Sequence, residues 1–347
     1  MRTSTSPLLR WLGRLALFAG VVLLVSALVL PMLRIHDLDA ALPEAAAKFQ
    51  GFTTHPDQPN AIVLGSSVVR HHVVPAVFDS LTGLTWYNGG LSASFPPEAF
   101  LVAEEFIAGV EPGRVKVLVV DVLPSNAPAW ENAGTLRAAF PVTFAEMTRR
   151  VRYASTFDEA RIAVHTWVTH VLDFARHQDA VDAAVPPAEL AARGFAPLTE
   201  ADNPGPWILA ERARLLAAPD SVLNVIRSTS ADFRFRAQSE TPTSGWTCDR
   251  RTDEAIARMR SLIDAGEAKG MRVIFHFQKL WDTNGCVYFR AQEAFGPCHV
   301  TESMGWPGEA DSLSVADCFD PAHLGPDGAM KWSRHAAARV AEALACK

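Results

Sequence analysis

The sequence predicts an α/β fold in which helices cover both faces of a parallel sheet. Short apolar runs have the length and composition of buried strands: Ala61–Leu64, Val115–Val122 and Met271–Phe277. Segments with one apolar helical face occupy the chain between these runs. Strands alternating with helices indicate a parallel sheet, because parallel neighbours need a crossover connection and a helix supplies it.

Three of the helical segments carry start or stop signals. One follows Pro96-Pro97. Another is predicted to begin at Thr252 as its N-cap and to end at Lys269-Gly270, a basic last turn followed by a C′ glycine. The last begins at Gly325-Pro326, where proline suits the first helical position. These signals place one helix directly before the third strand and the last helix at the end of the chain.

The amino-terminal residues have the pattern of a membrane anchor. Arg2, Arg10 and Arg14 precede an uncharged apolar run, Leu15–Leu33, which as a helix would span about 28 Å, close to the hydrocarbon thickness of a bilayer. Positive charge before the run favours an inside amino terminus and an exported body. We expect residues 1–34 to be a transmembrane anchor; a cleaved signal peptide and a buried core helix are the alternatives.

Three further segments follow the predicted anchor. Residues 35–58 are interpreted as a short helix opening near Pro43 and a linker. Residues 59–347 are interpreted as one α/β domain, interrupted by an insertion at about 127–250. The insertion is mostly helical in pattern and shows no convincing buried strand, so we interpret it as a lid or a substrate platform.

Composition excludes several classes of function. Hydrophobic residues make up 49% of the chain and charged residues 20%, which is typical of a globular core and not of disorder. A net charge of −6 without a basic run argues against nucleic-acid binding.

In an oxidising compartment the cysteines predict one or two disulfides and at least one free thiol. None has zinc-site spacing, and no metal or cofactor is expected. The cysteines are Cys248, Cys286, Cys298, Cys318 and Cys346.

Two distant segments carry residues suited to nucleophilic catalysis. Gly65-Ser66-Ser67 directly follows the first predicted strand, where open α/β sheets place their sites. Asp320 and His323 precede the last helix, and a histidine oriented by a carboxylate is the base that a serine hydroxyl needs. The plainer interpretations are a strand-to-helix turn with an N-cap serine, and a capping aspartate beside a surface histidine.

Taken together and in this order, the two segments resemble the SGNH (GDSL-like) hydrolase superfamily. The resemblance covers residues 59–126 and 250–347. It implies that Ser67 is the nucleophile, with Ser66 where many members have aspartate. It also implies that Asp320 and His323 complete a triad, since the family's Asp-x-x-His-Leu pattern matches there.

The resemblance further implies an oxyanion hole. The stretch Trp86–Ser94 is similar to the family's Asn-x-x-x-Ser-Gly block, in which a backbone N–H contacts the oxyanion. The matching position is Ala93, whose N–H survives the change from glycine. Asn126 follows the Val115–Val122 run and matches the family's second donor less well, because the expected glycine is missing and the spacing is longer. The expected donors are the N–H groups of Ser67 and Ala93, together with Asn126.

The family resemblance also implies a fold and a function. It implies a three-layer SGNH or flavodoxin-like sandwich and a serine esterase or O-acyltransferase that works through an acyl-enzyme. Membrane-tethered members similar to this chain take part in alginate acetylation and teichoic-acid D-alanylation. The expected partners are an acylated glycan or other envelope polymer, the bacterial cytoplasmic membrane and a multi-spanning acyltransferase. A non-catalytic SGNH-fold scaffold in an envelope assembly is the alternative.

Other polar residues near these segments are assigned plainer roles. His71 and His72 are interpreted as a solvated face, with pocket lining as the alternative. His276 and Gln278 lie at the end of the third predicted strand, where a substrate contact is the less favoured interpretation. Three further histidines on a predicted helix do not have a metal-site pattern; they are His165, His170 and His177.

Overall fold

A sheet of five parallel strands lies at the centre of this protein. The computed structural model describes residues 7–29, 37–94, 96–122, 136–176, 185–199, 206–218, 248, 250–277, 286–303, 314–320 and 323–346. The strands, in the spatial order β2-β1-β3-β4-β5, are β1 (Ala61–Gly65), β2 (Trp86–Gly90), β3 (Val117–Asp121), β4 (Arg272–Phe277) and β5 (Val300–Glu302).

Helices precede, separate and follow the strands along the chain. They are α1 (Pro7–Val29), α2 (Leu38–Ala41), α3 (Pro43–Thr54), α4 (Ser67–His72), α5 (Pro75–Thr82), α6 (Glu98–Gly109), α7 (Leu136–Ala139), α8 (Phe144–Tyr153), α9 (Phe157–Arg176), α10 (Pro187–Ala191), α11 (Pro206–Ala217), α12 (Arg250–Ala268), α13 (Cys286–Phe295) and α14 (Pro326–Ala345). A 3-10 turn at Val315–Asp317 precedes the last of them.

Alternate side chains of each strand pack into two separate cores. Ile62 and Leu64 belong to the core beneath α6, α12 and α13. Ala61 and Val63 belong to the opposite core, beneath α4, α5 and α14. This alternation follows from the two-residue period of a strand. The predicted α/β fold with a parallel sheet covered on both faces is therefore confirmed.

The three predicted strands are present, and two strands were not predicted. β2 contains Asn88, Gly89 and Gly90, residue types that are depleted in strands. A side chain at Gly90 would come within 2.2 Å of the backbone nitrogen of Arg70, so glycine is required where α4 crosses this strand. β5 has only three residues, Val300–Glu302, too few for a periodic signal.

The expected starts and caps of the helices are mostly correct. α14 begins with Pro326 after Gly325, as predicted. Gly270 follows α12 with φ +74°, the left-handed geometry of a C′ glycine. The prediction that Thr252 caps α12 is wrong, because that helix begins at Arg250 and Thr252 is buried within its first turn.

The segment before the sheet is packed into the domain. Residues 38–54, interpreted from the sequence as a short helix and a linker, form α2 and α3, and their side chains Leu42, Ala45 and Phe52 lie in the core. The apolar run of the predicted anchor (residues 1–34), Leu15–Leu33, begins within α1 and continues past Val29 into residues outside the described ranges. None of the helices that the structure describes is both long enough and apolar enough for a membrane span.

The described parts of the predicted insertion contain α7 to α11 and contribute no strand to the sheet. Residues 185–199 lie along the outer edge of β2, where the N–H of Asn88 donates to the carbonyl of Arg193 at 2.8 Å. The Arg193 guanidinium also contacts the Asp79 carboxylate of α5 at 2.6 Å. This segment therefore covers an edge strand that would otherwise expose unpaired backbone groups.

One disulfide joins the start of α13 to the residues before α12. It links Cys248 to Cys286. Cys298, Cys318 and Cys346 do not form disulfides. This pattern agrees with the prediction of one or two disulfides and at least one free thiol.

Candidate active site

Ser67 lies where the chain leaves the carboxyl end of β1. It is the first residue of α4, and the preceding Ser66 caps this helix by accepting a hydrogen bond from the N–H of Val68 at 3.2 Å. A side chain at Gly65 would come within 2.7 Å of the Asp121 side chain, so only glycine fits this turn. Strand β1 lies between β2 and β3, and this reversal of strand order forms a crevice at the carboxyl edge, where α/β sheets bind ligands.

The structure brings Ser67, His323 and Asp320 together. The His323 Nε2 atom lies 3.0 Å from the Ser67 Oγ atom. The Nδ1 atom of the same ring lies 2.9 Å from the Asp320 Oδ2 atom. Both distances are within hydrogen-bonding range, so the three side chains form a continuous chain of hydrogen bonds across 256 residues of sequence separation.

The hydrogen-bond pattern assigns the proton on His323. An ionised Asp320 only accepts hydrogen bonds, so the Nδ1 atom of His323 carries the proton and donates it. The Nε2 atom then has a free lone pair and accepts from the Ser67 hydroxyl. This is the tautomer in which the imidazole can remove a proton from serine.

The loop that carries the acid and the base is held by its own backbone. The N–H of His323 donates to the second Asp320 oxygen at 2.9 Å, and the His323 carbonyl accepts from the N–H groups of Phe319 and Asp320. Arg212 of α11 donates to the Phe319 carbonyl at 3.0 Å and lies over its ring. Asp320 is only 1% exposed and His323 only 5%, so their charge interaction is weakly screened by water.

The interpretation of His71 and His72 as a solvated face is wrong. Both rings pack edge-on against His323, with centroid distances of 5.5 and 6.3 Å. His71 donates from Nδ1 to the carbonyl of Ala196 at 2.7 Å, and burial lowers its pKa to about 4. His72 accepts at Nε2 from the N–H of Leu324 at 2.9 Å. Both histidines therefore support the loop of the base.

No family model, curated protein or solved structure matches this chain. Within the ranges that the structure describes, no group of three or more His, Cys, Asp or Glu residues is arranged to hold a metal ion.

The structure describes two of the three expected oxyanion donors, Ser67 and Ala93. Ala93 follows β2, whose carboxyl end lies beside that of β1, and the N–H of Leu91 donates to the Gly65 carbonyl at 2.8 Å. Ala93 has φ +50°, a left-handed conformation that favours glycine. Asn126 lies outside the described residues.

His276 is only 2% exposed, contrary to the idea of a substrate contact. Its two ring nitrogens pair with the hydroxyls of Thr301 and Ser303 at 2.9 and 3.0 Å. Burial, with a smaller contribution from His335, lowers the pKa of His276 to about 3. This ring is neutral and structural, and Gln278 beyond it lies outside the described residues.

A buried network of charges behind the loop after β2 was not predicted. The Arg70 guanidinium contacts Glu44 at 2.9 Å and Glu189 at 2.6 Å. Lys48 contacts Glu189 at 2.7 Å, and burial lowers the pKa of Lys48 to about 8 although this carboxylate opposes the shift. Sequence offers no signal for these pairs, because their members lie 26 to 141 residues apart and no motif relates them.

Proposed function

We propose that this protein is a serine esterase or O-acyltransferase that works through an acyl-enzyme on Ser67. The observation that carries the proposal is the hydrogen-bonded chain from the Ser67 hydroxyl through His323 to Asp320, with heavy-atom distances of 3.0 and 2.9 Å. A nucleophile, a base and an orienting carboxylate in this order are the parts that acyl transfer requires.

The reaction follows from the protonation states of the triad. As the Ser67 oxygen attacks an ester carbonyl, its proton passes to the Nε2 atom of His323. Asp320 stabilises the imidazolium that forms. The imidazolium then protonates the departing alkoxide, which leaves an acyl group on Ser67. In the second half His323 deprotonates water or an acceptor hydroxyl, which takes the acyl group and restores the serine.

The tetrahedral intermediate needs donors for its oxyanion. We assign this role to the N–H groups of Ser67 and Ala93, together with Asn126 as the resemblance to SGNH hydrolases implies. Ser67 opens α4, where N–H groups have no intrahelical partner. The strand order 2-1-3-4-5 is the flavodoxin-like order, which agrees with the SGNH or flavodoxin-like sandwich that the resemblance implies.

The proposal includes a cellular location and a substrate class. The resemblance to exported SGNH proteins favours the periplasmic or extracellular side of the cytoplasmic membrane. The acyl donors or acceptors there are envelope glycans or other polymers, and a multi-spanning acyltransferase is the proposed partner. In support, α1 exposes large apolar side chains such as Leu17 and Phe18, at 69% and 68%. The test is fractionation: the intact chain should stay with membranes after carbonate washing, and recovery in the soluble fraction would remove this part of the proposal.

The catalytic proposal is tested by labelling with a fluorophosphonate, which reacts with activated serines. We expect the wild-type protein to be labelled on Ser67 and to hydrolyse p-nitrophenyl acetate. Ser67→Ala should lose both properties. Ser66→Ala is the matched control: it loses a helix cap worth about 1 kcal/mol of stability, but keeps the nucleophile and should still be labelled.

A scaffold with the SGNH fold is the second candidate, favoured by the incomplete match of the segment around Asn126 to the family's second oxyanion donor. A scaffold predicts no labelling of Ser67 and no difference between wild type and Ser67→Ala in hydrolysis. If wild type and Ser67→Ala react equally with both reagents, the catalytic proposal is wrong.

A further inference from the structure

Ser92, directly before Ala93, is held at each of its polar groups by a charged side chain. Its N–H donates to the Glu44 carboxylate at 3.0 Å. Its hydroxyl accepts from Arg70 at 2.7 Å and donates to Glu44 at 3.2 Å. Its carbonyl accepts from the Arg137 guanidinium. Three segments that are distant in sequence therefore meet on one serine of the loop that follows β2.

The charges that hold Ser92 are themselves paired and mostly buried. Glu44 is 6% exposed and Arg137 is 8% exposed. Arg137 contacts Glu98 at 3.0 Å and Glu44 at 4.0 Å. Buried carboxylates and guanidinium groups with several partners have little freedom to reorient, because each movement would break charge-assisted hydrogen bonds. The loop is therefore fixed by a rigid frame of paired charges, which consists of Glu44, Arg70, Glu98 and Arg137.

The next residue explains why such a frame is useful. Ala93 is held at φ +50°, a conformation that an alanine adopts reluctantly. A loop with this conformation would relax if its anchor were loosened, and the direction of the Ala93 N–H would change with it. An oxyanion donor must be fixed before the reaction, because its contribution depends on not having to reorganise.

We propose that Glu44 is a positioning residue. Through Ser92 it fixes the loop after β2, which carries the proposed oxyanion donor Ala93. The inference rests on the proposed acyl transfer. Glu44 is the member of the frame that contacts both the N–H and the hydroxyl of Ser92, and it also pairs with Arg70. Glu44 lies in α3, so the segment before the sheet contributes a positioning residue to the proposed active site.

The experiment compares Glu44→Gln with Glu189→Gln in hydrolysis of p-nitrophenyl acetate. Both changes remove one buried negative charge that pairs with Arg70, but within the described residues Ser92 bonds to Glu44, Arg70 and Arg137 and not to Glu189. In Glu44→Gln an amide group replaces one acceptor, so either the Ser92 N–H or a guanidinium loses its partner. We expect kcat to fall about 10- to 100-fold with KM nearly unchanged, since misplacement of an oxyanion donor acts on the transition state.

A matching variant separates positioning from folding. Ser92→Ala removes the hydroxyl of a half-buried residue without changing any charge, so it should fold and should lower kcat in the same direction by a smaller factor. Equal losses of kcat in Glu44→Gln and Glu189→Gln, or unchanged kcat in both Glu44→Gln and Ser92→Ala, would overturn the inference. Wild-type activity that is abolished by Ser67→Ala shows that the proposed function stands even if this inference fails.

Discussion

The Nε2 atom of His72 accepts a hydrogen bond from the backbone N–H of Leu324 at 2.9 Å. His72 ends the helix that begins with the nucleophile, and Leu324 directly follows the base. The carbonyl of His72 also accepts from the Ser333 hydroxyl of α14 at 2.6 Å. The helix of Ser67 and the loop of His323 are therefore fixed to each other independently of the bond between their own side chains.

This contact predicts a selective effect of substitutions at His72. His72→Phe fills the space but leaves the Leu324 N–H buried without its acceptor, which costs about 1–3 kcal/mol. We expect lower thermal stability and a loss of kcat in ester hydrolysis. His72→Gln offers an amide oxygen near the position of Nε2 and should recover part of both. Identical behaviour of the two variants would show that the acceptor is unimportant.

The pair of Asp320 and His323 predicts the result of an isosteric change of the acid. Asp320→Asn keeps the size of the side chain but can present an amide N–H to the imidazole, which favours the tautomer with the proton on Nε2. That tautomer cannot accept the Ser67 proton. We expect kcat for ester hydrolysis to fall by roughly 10²- to 10⁴-fold, with a circular dichroism spectrum like that of wild type. A loss below tenfold would mean that Asp320 does not orient the base.

The left-handed backbone at Ala93 predicts a stabilising substitution beside the active site. Ala93→Gly removes the Cβ atom that disfavours φ +50° and keeps the N–H group. Folding stability should rise by up to about 1 kcal/mol in urea unfolding, because the strain of alanine exceeds the entropy cost of glycine. Ala93→Val should be destabilising at the same position. A lower stability of Ala93→Gly than of wild type would show that the loop tolerates alanine without strain.

The positions of the triad could be predicted because each member has a local signal. Gly65 marks the sharp turn at the end of a strand, with Ser67 close behind. Asp320 and His323 are close enough in sequence to reach each other on one turn. Their meeting with Ser67 is what the resemblance to the SGNH hydrolases implies, and it fits the rule that open α/β sheets place their sites at the carboxyl ends of the strands.

The surroundings of the triad could not be predicted, because they depend on contacts between distant segments. The Arg70–Glu189 pair joins residues 119 positions apart, and neither residue type indicates burial by itself. β2 was not predicted as a strand, because Asn88 and its glycines have low strand propensity. The tertiary structure overrides that propensity: the Asn88 amide donates to the carbonyls of Val69 and Val73 at 2.8 and 2.7 Å.

The buried histidines predict how stability depends on pH. Burial lowers the pKa of His276 to about 3, from an ordinary value of 6.5, so the folded protein keeps this ring neutral while the unfolded chain protonates it. His71 is shifted in the same direction, to about 4. The unfolded state therefore binds more protons below pH 6.5, and the contribution of each histidine, complete above that pH, is lost as the pH falls.

The size of this effect can be measured with His276 alone. A histidine with a pKa of about 3 in the folded protein and 6.5 in the unfolded chain lowers the free energy of unfolding by about 2 kcal/mol between pH 7.5 and 5.0. Urea unfolding of wild type and of His276→Gln at both pH values isolates the contribution, because the remaining titrating groups are common to the two proteins. The variant should be less stable at pH 7.5, since it disturbs the contacts with Thr301 and Ser303, but it should lose about 2 kcal/mol less on acidification. Parallel losses in the two proteins would show that His276 is protonated in the folded state as readily as in the unfolded chain.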